Sequence, residues 1–172
     1  MLRRDMQINR SPQRGFFLIE ALVAIAIFSL GILGMVALGS LALNAQTDAG
    51  VRTDAASLAD ELTSDIVLNA DRSSLAAFQT SLLGYQHQPT GVDCAFSGAV
   101  ATGVNANAWL NRVSTPGPGL RGLPGATPAT QQILVNATAA GFNRIQITIC
   151  WRGPTDAAMR HHTVVTYVNG LL

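Results

Sequence analysis

The sequence predicts an α+β fold, in which a long N-terminal helix over about residues 16–70 carries a small antiparallel β-sheet head on its C-terminal half. Residues 21–43 contain no charged side chain, and roughly 20 such residues form a helix long enough to cross a bilayer. Five apolar residues between 55 and 66 recur at spacings of three and four, which is typical of one face of a helix. Isoleucines alternate with other residues in 144–151, which is the period of a strand.

A basic segment precedes the apolar run. Residues 1–15 hold four arginines and one aspartate, and by the positive-inside rule they keep the N-terminus in the cytoplasm. Everything after about residue 44 would then lie in the periplasm or its equivalent. A cleaved secretory signal has an apolar core of about 7–15 residues, which is shorter than this run. A plain membrane anchor fits the length but leaves one charge, Glu20, unexplained.

Glu20 lies at the edge of the apolar run. A charge inside a spanning helix costs about 2.5–3.5 kcal/mol on insertion scales, so such residues usually have a partner. A cut between Gly15 and Phe16 would remove the basic leader and create a new amine, with Glu20 as the fifth residue of the mature chain. In a bundle of staggered helices, Glu20 of one subunit would meet the Phe16 amine of its neighbour, and each charge would compensate the other.

The stretch "RGFFLIEALVAIAIF" resembles the class III prepilin signal of type IV pilins and type II secretion pseudopilins. The resemblance implies that a prepilin peptidase cleaves after Gly15 and N-methylates Phe16, and that Glu20 registers the subunit during assembly. Phe17 departs from the pattern, because the family often has Thr or Ser there. Major pilins often have a proline within the apolar helix, whereas this chain has none between Pro12 and Pro89.

Later stretches narrow the resemblance. "SLADELTSDIVLNADR" and "CWRGP" resemble PilV-type minor pilins, although more loosely than the N-terminus resembles its family. This implies a minor pilin that is inserted in the inner membrane and then incorporated into, or primes, a type IV pilus that serves adhesion or motility. Its partners would be other major and minor pilins and the inner-membrane assembly platform. A minor pseudopilin of type II secretion and a bitopic inner-membrane binding module are the alternatives.

Four segments follow from these patterns: a leader (1–15), a transmembrane and filament-core helix (16–43), an amphipathic stem helix (44–71) and a periplasmic head (72–172). Gly31, Gly34 and Gly39 would either soften the core helix or allow close helix packing. Gly50 is a predicted weak point of the stem. The six stem acids could face basic surfaces of neighbours or form a solvated face; they are Asp48, Asp54, Asp60, Glu61, Asp65 and Asp71.

The head is expected to contain two short helices, a long loop and three strands. The first helix would lie within "SSLAAFQTSLLG", capped by Ser73 or Ser74, and the second in "NANAWLNRV", burying Trp109 and Leu110. Glycines and prolines predict an irregular loop over 114–128. The strands are predicted at 131–136, 144–151 and 162–168.

Cys94 and Cys150 are the two cysteines, and an even pair in an exported chain indicates one disulfide. A metal site with His161 and His162 is disfavoured, because adjacent residues of a strand point to opposite faces. No catalytic motif is found, so we expect neither enzyme activity nor a cofactor. The formal net charge of +1 gives no indication of nucleic-acid binding.

Overall fold

The computed structural model describes residues 16–117, 120–138, 140–154 and 156–170, although the side chains of Phe16, Pro116, Leu120 and Arg121 are not among the described ones. The predicted leader, with the cleavage glycine Gly15, lies outside the described residues. The chain divides into two compact units, Met1–Gln46 and Thr47–Leu172. Helix α1, Phe16–Asn69, contributes to both units and confirms the predicted long helix. It continues through Gly50, the predicted weak point.

The described residues of the second unit include two shorter α-helices, both of which were predicted. Helix α2 is Leu75–Leu83, and the Ser74 hydroxyl caps it by accepting a hydrogen bond from the Ala77 N–H at 3.1 Å. Such a cap satisfies one of the backbone donors that the first turn of a helix leaves free. Helix α3 is Val104–Ser114 and buries Trp109 and Leu110.

In the described part of the chain, seven strands form three antiparallel sheets. Strands β1, Thr90–Val92, and β2, Ala95–Ser97, make a hairpin that was not predicted from the sequence. Strands β3, Pro116–Gly117, and β4, Leu120–Arg121, form a short ladder within the segment predicted to be an irregular loop. That prediction is therefore wrong for these four residues, whose backbone pairing needs no apolar period.

The main sheet has the order β5-β6-β7, with β5 at Gln132–Asn136, β6 at Arg144–Trp151 and β7 at Arg160–Tyr167. All three predicted strands are confirmed, although β7 begins two residues earlier than expected. On β6 the isoleucines point inward and are fully buried. Thr148 and Cys150 on the opposite, outer face are buried as well, because the β1–β2 hairpin covers that end of the sheet.

The core of the second unit lies between the stem part of α1 and the sheet. The predicted apolar stripe of α1 is buried throughout; its members are Ala55, Leu58, Ala59, Leu62 and Ile66. Trp109 of α3 is fully buried, and its indole N–H donates to the Leu58 carbonyl at 2.8 Å. The head is thus packed on the C-terminal part of α1, as the fold prediction required.

Candidate functional site

The apolar part of α1 is the first candidate site. Its large apolar side chains between Phe17 and Leu43 each keep 46–75% of their surface exposed. Among the described residues, α1 is the one helix that is long and apolar enough to cross a membrane. Soluble chains rarely leave so much contiguous apolar surface uncovered, so this segment requires an apolar environment outside the chain.

Glu20 is the one charged side chain in this segment of the described chain, and it is exposed. It follows Phe16 by four residues, which is about 6 Å along the axis of an α-helix. The polar Ser29 is satisfied within the helix, because its hydroxyl donates to the Ile25 carbonyl at 2.7 Å. The Glu20 carboxylate cannot be satisfied in that way, since an ionised carboxylate only accepts hydrogen bonds and cannot donate to a backbone carbonyl.

Three glycines share the apolar segment with Glu20. A Cβ atom built on Gly31, Gly34 or Gly39 would meet no atom within 4 Å. Contacts within this chain therefore do not require glycine at these positions, and each glycine costs about 1 kcal/mol of helix stability relative to alanine. What these glycines provide must involve either the flexibility of the helix or contacts with other molecules.

Three of the stem acids contact the head of the same chain, whereas the sequence analysis expected them to face neighbouring subunits or solvent. Asp48 forms an ion pair with Arg160 of β7, and Glu61 pairs with Arg112 of α3 at 2.7 Å. The Asp65 carboxylate accepts a hydrogen bond from the Tyr85 hydroxyl at 2.9 Å. Three acids on one helix thus contact three separate parts of the head.

Arg160 joins two acids at the start of β7. Besides Asp48, it contacts Asp156 at 2.6 Å. The hydrogen bond from Arg160 lowers the pKa of Asp156, and the Gly153 N–H, which donates at 3.0 Å, adds to that effect. The same hydrogen bond raises the pKa of Arg160. The connection between β6 and β7 is thereby fixed to α1 by charge.

Cys94 and Cys150 form a disulfide whose Cα atoms lie 5.9 Å apart. Cys94 and Asp93 form the two-residue turn of the β1–β2 hairpin, and both have positive φ, 66° and 52°. Positive φ at both central residues defines the type I′ turn that suits a two-residue hairpin, usually with Asn-Gly or Asp-Gly. The bond to β6 fixes this unusual turn over the outer face of the main sheet.

His87 is a buried polar residue that no pattern in the sequence indicates. It is 2% exposed and forms a backbone bridge with Ile133. Its Nδ1 accepts the Ala101 N–H at 3.2 Å, so Nε2 carries the proton and donates to the Pro128 carbonyl at 2.8 Å. One imidazole therefore joins three segments of the head.

The sequence disfavours a metal site formed by His161, His162 and the two cysteines. Both cysteines are in the disulfide, and no group of three His, Cys, Asp or Glu side chains in the described part of the chain could hold a metal ion. His161 and His162 lie on opposite faces of β7, where His161 is exposed and His162 is half-buried.

Comparison with known proteins finds a match to the N-terminal part of this chain. The family model of the prokaryotic N-terminal methylation motif matches residues 10–36, which includes Gly15, Phe16 and Glu20. The match supports a type IV pilin-like protein, as the sequence resemblance predicted. Pilins and pseudopilins share this motif, so the match does not distinguish between them. Such a signal implies processing by a prepilin peptidase. No curated protein and no solved structure matched the chain.

Proposed function

We propose that this chain is a minor type IV pilin of the PilV type, which is incorporated into, or primes the assembly of, type IV pili. One observation supports it most: the methylation motif is joined to an exposed apolar helix that carries a single exposed carboxylate, Glu20. A carboxylate among apolar side chains favours a partner of opposite charge. The amine that cleavage would create at Phe16 is that partner, supplied by a neighbouring subunit.

In this proposal the prepilin peptidase removes residues 1–15 and N-methylates Phe16. Before assembly the chain crosses the inner membrane once, with its N-terminus in the cytoplasm and its head in the periplasm. The assembly platform then transfers it into the filament, where residues 16–43 pack among the helices of other major and minor pilins. The work of the protein is done by contacts rather than by chemistry, so neither an enzyme activity nor a cofactor is part of the proposal.

Processing is tested on the protein purified from membranes of cells with and without the peptidase. The mature mass and N-terminal sequence should correspond to N-methyl-Phe16 in the first case and to Met1 in the second. A Met1 start in both would contradict the proposal and leave a bitopic binding module. Sheared filaments should contain the mature chain. Its absence from pili, together with co-purification with secretion components, would instead establish the pseudopilin alternative.

The role of Glu20 is tested with a matched pair of substitutions, since the chain has two glutamates, Glu20 and Glu61. Glu20→Gln should be processed normally but reduce the chain in sheared filaments at least tenfold, because breaking a buried charge pair costs about 3–5 kcal/mol. Glu61→Gln removes a partly exposed pair worth about 0–1 kcal/mol and should assemble normally. Equal incorporation of the two variants would contradict the registration role.

A further inference from the structure

A cleft lies between the β1–β2 hairpin and the outer face of the main sheet, and the sequence analysis assigned it no role. Its volume is about 300 Å³, which is at the lower end of the range of small-molecule sites. One wall is formed by the hairpin, with Val92, Asp93 and Phe96, and the floor by side chains of β5, β6 and β7. The disulfide closes one end, since Cys94 also lines the cleft.

The floor is built from neutral hydrogen-bonding groups in register. Gln132, Thr148 and Thr163 lie directly opposite one another on the three strands. The Thr148 and Thr163 hydroxyls are 3.2 Å apart, and the Gln132 amide donates to the Gln88 carbonyl at 3.0 Å. A hydroxyl can donate one hydrogen bond and accept two, so these groups keep the capacity to bind a ligand. Gln146 adds a second amide in the next row. Its Oε1 accepts a hydrogen bond from Arg144 Nη2 at 2.6 Å, so its NH2 group is the part that is left for a ligand.

The wall is held in a fixed position before any ligand binds. Gly91 of β1 has φ 97°, and a Cβ atom there would overlap the Ala95 carbonyl oxygen. The Asp93–Cys94 turn is tied to β6 by the disulfide. A binding site that is already ordered loses less conformational entropy when it binds, which favours affinity. The hairpin therefore acts as a rigid wall rather than as a loose flap.

The charge of the lining limits the chemistry of the ligand. Among the described residues that line the cleft there is no Lys or Arg, and Asp93 is the one carboxylate. The lining therefore offers an anionic ligand such as a phosphate ester no ammonium or guanidinium group, and the other ionisable side chain in it is the exposed His161. Phe96, Leu134 and Val92 supply apolar surface beside the amides and hydroxyls. A ligand that fits must be neutral, about the size of a single ring, and must have both hydroxyl groups and an apolar C–H face.

We propose that this cleft binds a neutral polyhydroxylated ring, which is the chemistry of a single sugar unit. The lining residues all belong to the second unit, Thr47–Leu172, and the proposal does not depend on the proposed pilin function. Thr163 and Gln146 would bind ligand hydroxyls, and Phe96 would cover the apolar face of the ring. The proposal adds a recognition surface to a protein whose proposed role is assembly.

The test uses the full chain in a zwitterionic detergent without a sugar headgroup. Methyl glucoside, methyl galactoside and N-acetylglucosamine are titrated and followed by saturation-transfer NMR, and inorganic phosphate is added as an anionic competitor that would displace the sugar signal. At least one sugar should bind saturably with Kd of about 1 mM, which is typical of a ligand of this size. No saturable sugar binding, or binding of phosphate at this site in place of sugar, would overturn the proposal.

A matched pair of substitutions locates the binding. Thr163→Val removes a hydroxyl on the exposed outer face of β7 and should weaken sugar binding about fivefold, the effect of one hydrogen bond. Thr166→Val makes the same change on the opposite face and should leave Kd within about twofold. Gln146→Leu should weaken binding in the same direction as Thr163→Val. Equal Kd values for the two threonine variants would place the sugar elsewhere and overturn the assignment.

Discussion

Removing the Cys94–Cys150 disulfide should lower the stability of the head by a large and calculable amount. The bond closes a loop with a sequence separation of 56 residues. In the chain-entropy model a loop of this length contributes about 4 kcal/mol, because the unfolded chain loses conformational freedom. The double substitution Cys94→Ser with Cys150→Ser should therefore reduce the free energy of unfolding by about 4 kcal/mol.

The assay is urea unfolding of the full chain in detergent, followed by tryptophan fluorescence. Both tryptophans, Trp109 and Trp151, are buried in the head, so their signal reports on that unit. With a urea slope of about 2 kcal/mol per molar, the midpoint should fall by about 2 M. Wild-type protein treated with a reductant should unfold at the same urea concentration as the double variant, and the variant should not respond to the reductant.

A midpoint that falls by less than about 0.5 M, in either the variant or the reduced wild type, would refute the reasoning. It would mean that the unfolded chain already holds the two segments together without the bond, or that the native hairpin is not stabilised by its tether. If the midpoint falls strongly in the variant but not in the reduced wild type, the loss of stability comes from the serines. Their hydroxyls would be buried where Cys94 and Cys150 now lie.

Two further predictions concern the polar contacts of the head. His87→Leu should destabilise the head by about 2–4 kcal/mol, because a buried N–H and a buried carbonyl lose their hydrogen-bond partner. The control His161→Leu, at an exposed position, should shift the urea midpoint little. Equal effects of the two substitutions would contradict the buried role of His87. Because the pKa of Asp156 is lowered in the folded protein, its ionised form stabilises the fold at pH values above the usual pKa of 3.8. This contribution is lost as the pH falls through the pKa that Asp156 has in the folded protein. Asp156→Asn should therefore lose less stability than wild type between about pH 6 and about pH 3, measured as urea midpoints. An unchanged pH dependence in Asp156→Asn would show that the Arg160 contact contributes nothing.

The elements that could be predicted are those whose pattern is local. The apolar stripe of the stem, the serine cap of α2 and the alternating isoleucines of β6 each lie within a few residues of sequence, and each is confirmed. The N-terminal motif is equally local, and the family model matches it over residues 10–36, while the roles of Gly15, Phe16 and Glu20 stay predictions. Local spacing is sufficient there because helix and strand periods act over short distances.

The features that were missed depend on contacts between distant residues or on unusual turn chemistry. The β1–β2 hairpin has Asp93 and Cys94 in its turn, where the sequence signal would be Asn-Gly or Asp-Gly. The tether that holds those backbone angles comes from Cys150, which is 56 residues away. The cleft and the His87 connection are likewise assembled from separated segments, so no window of the sequence contains them.

The contacts between the head and α1 also have a mechanical consequence. Asp48, Glu61 and Asp65 contact three different parts of the head, and the buried stripe continues to Ile66. At 1.5 Å per residue, these attachments extend over about 27 Å of the helix. A pull along α1 would load them in parallel, in the shear direction, so that they would have to rupture together rather than one after another. Tension applied to the helix would thus be shared across the whole head, and the ion pair nearest to the apolar segment would not bear it alone.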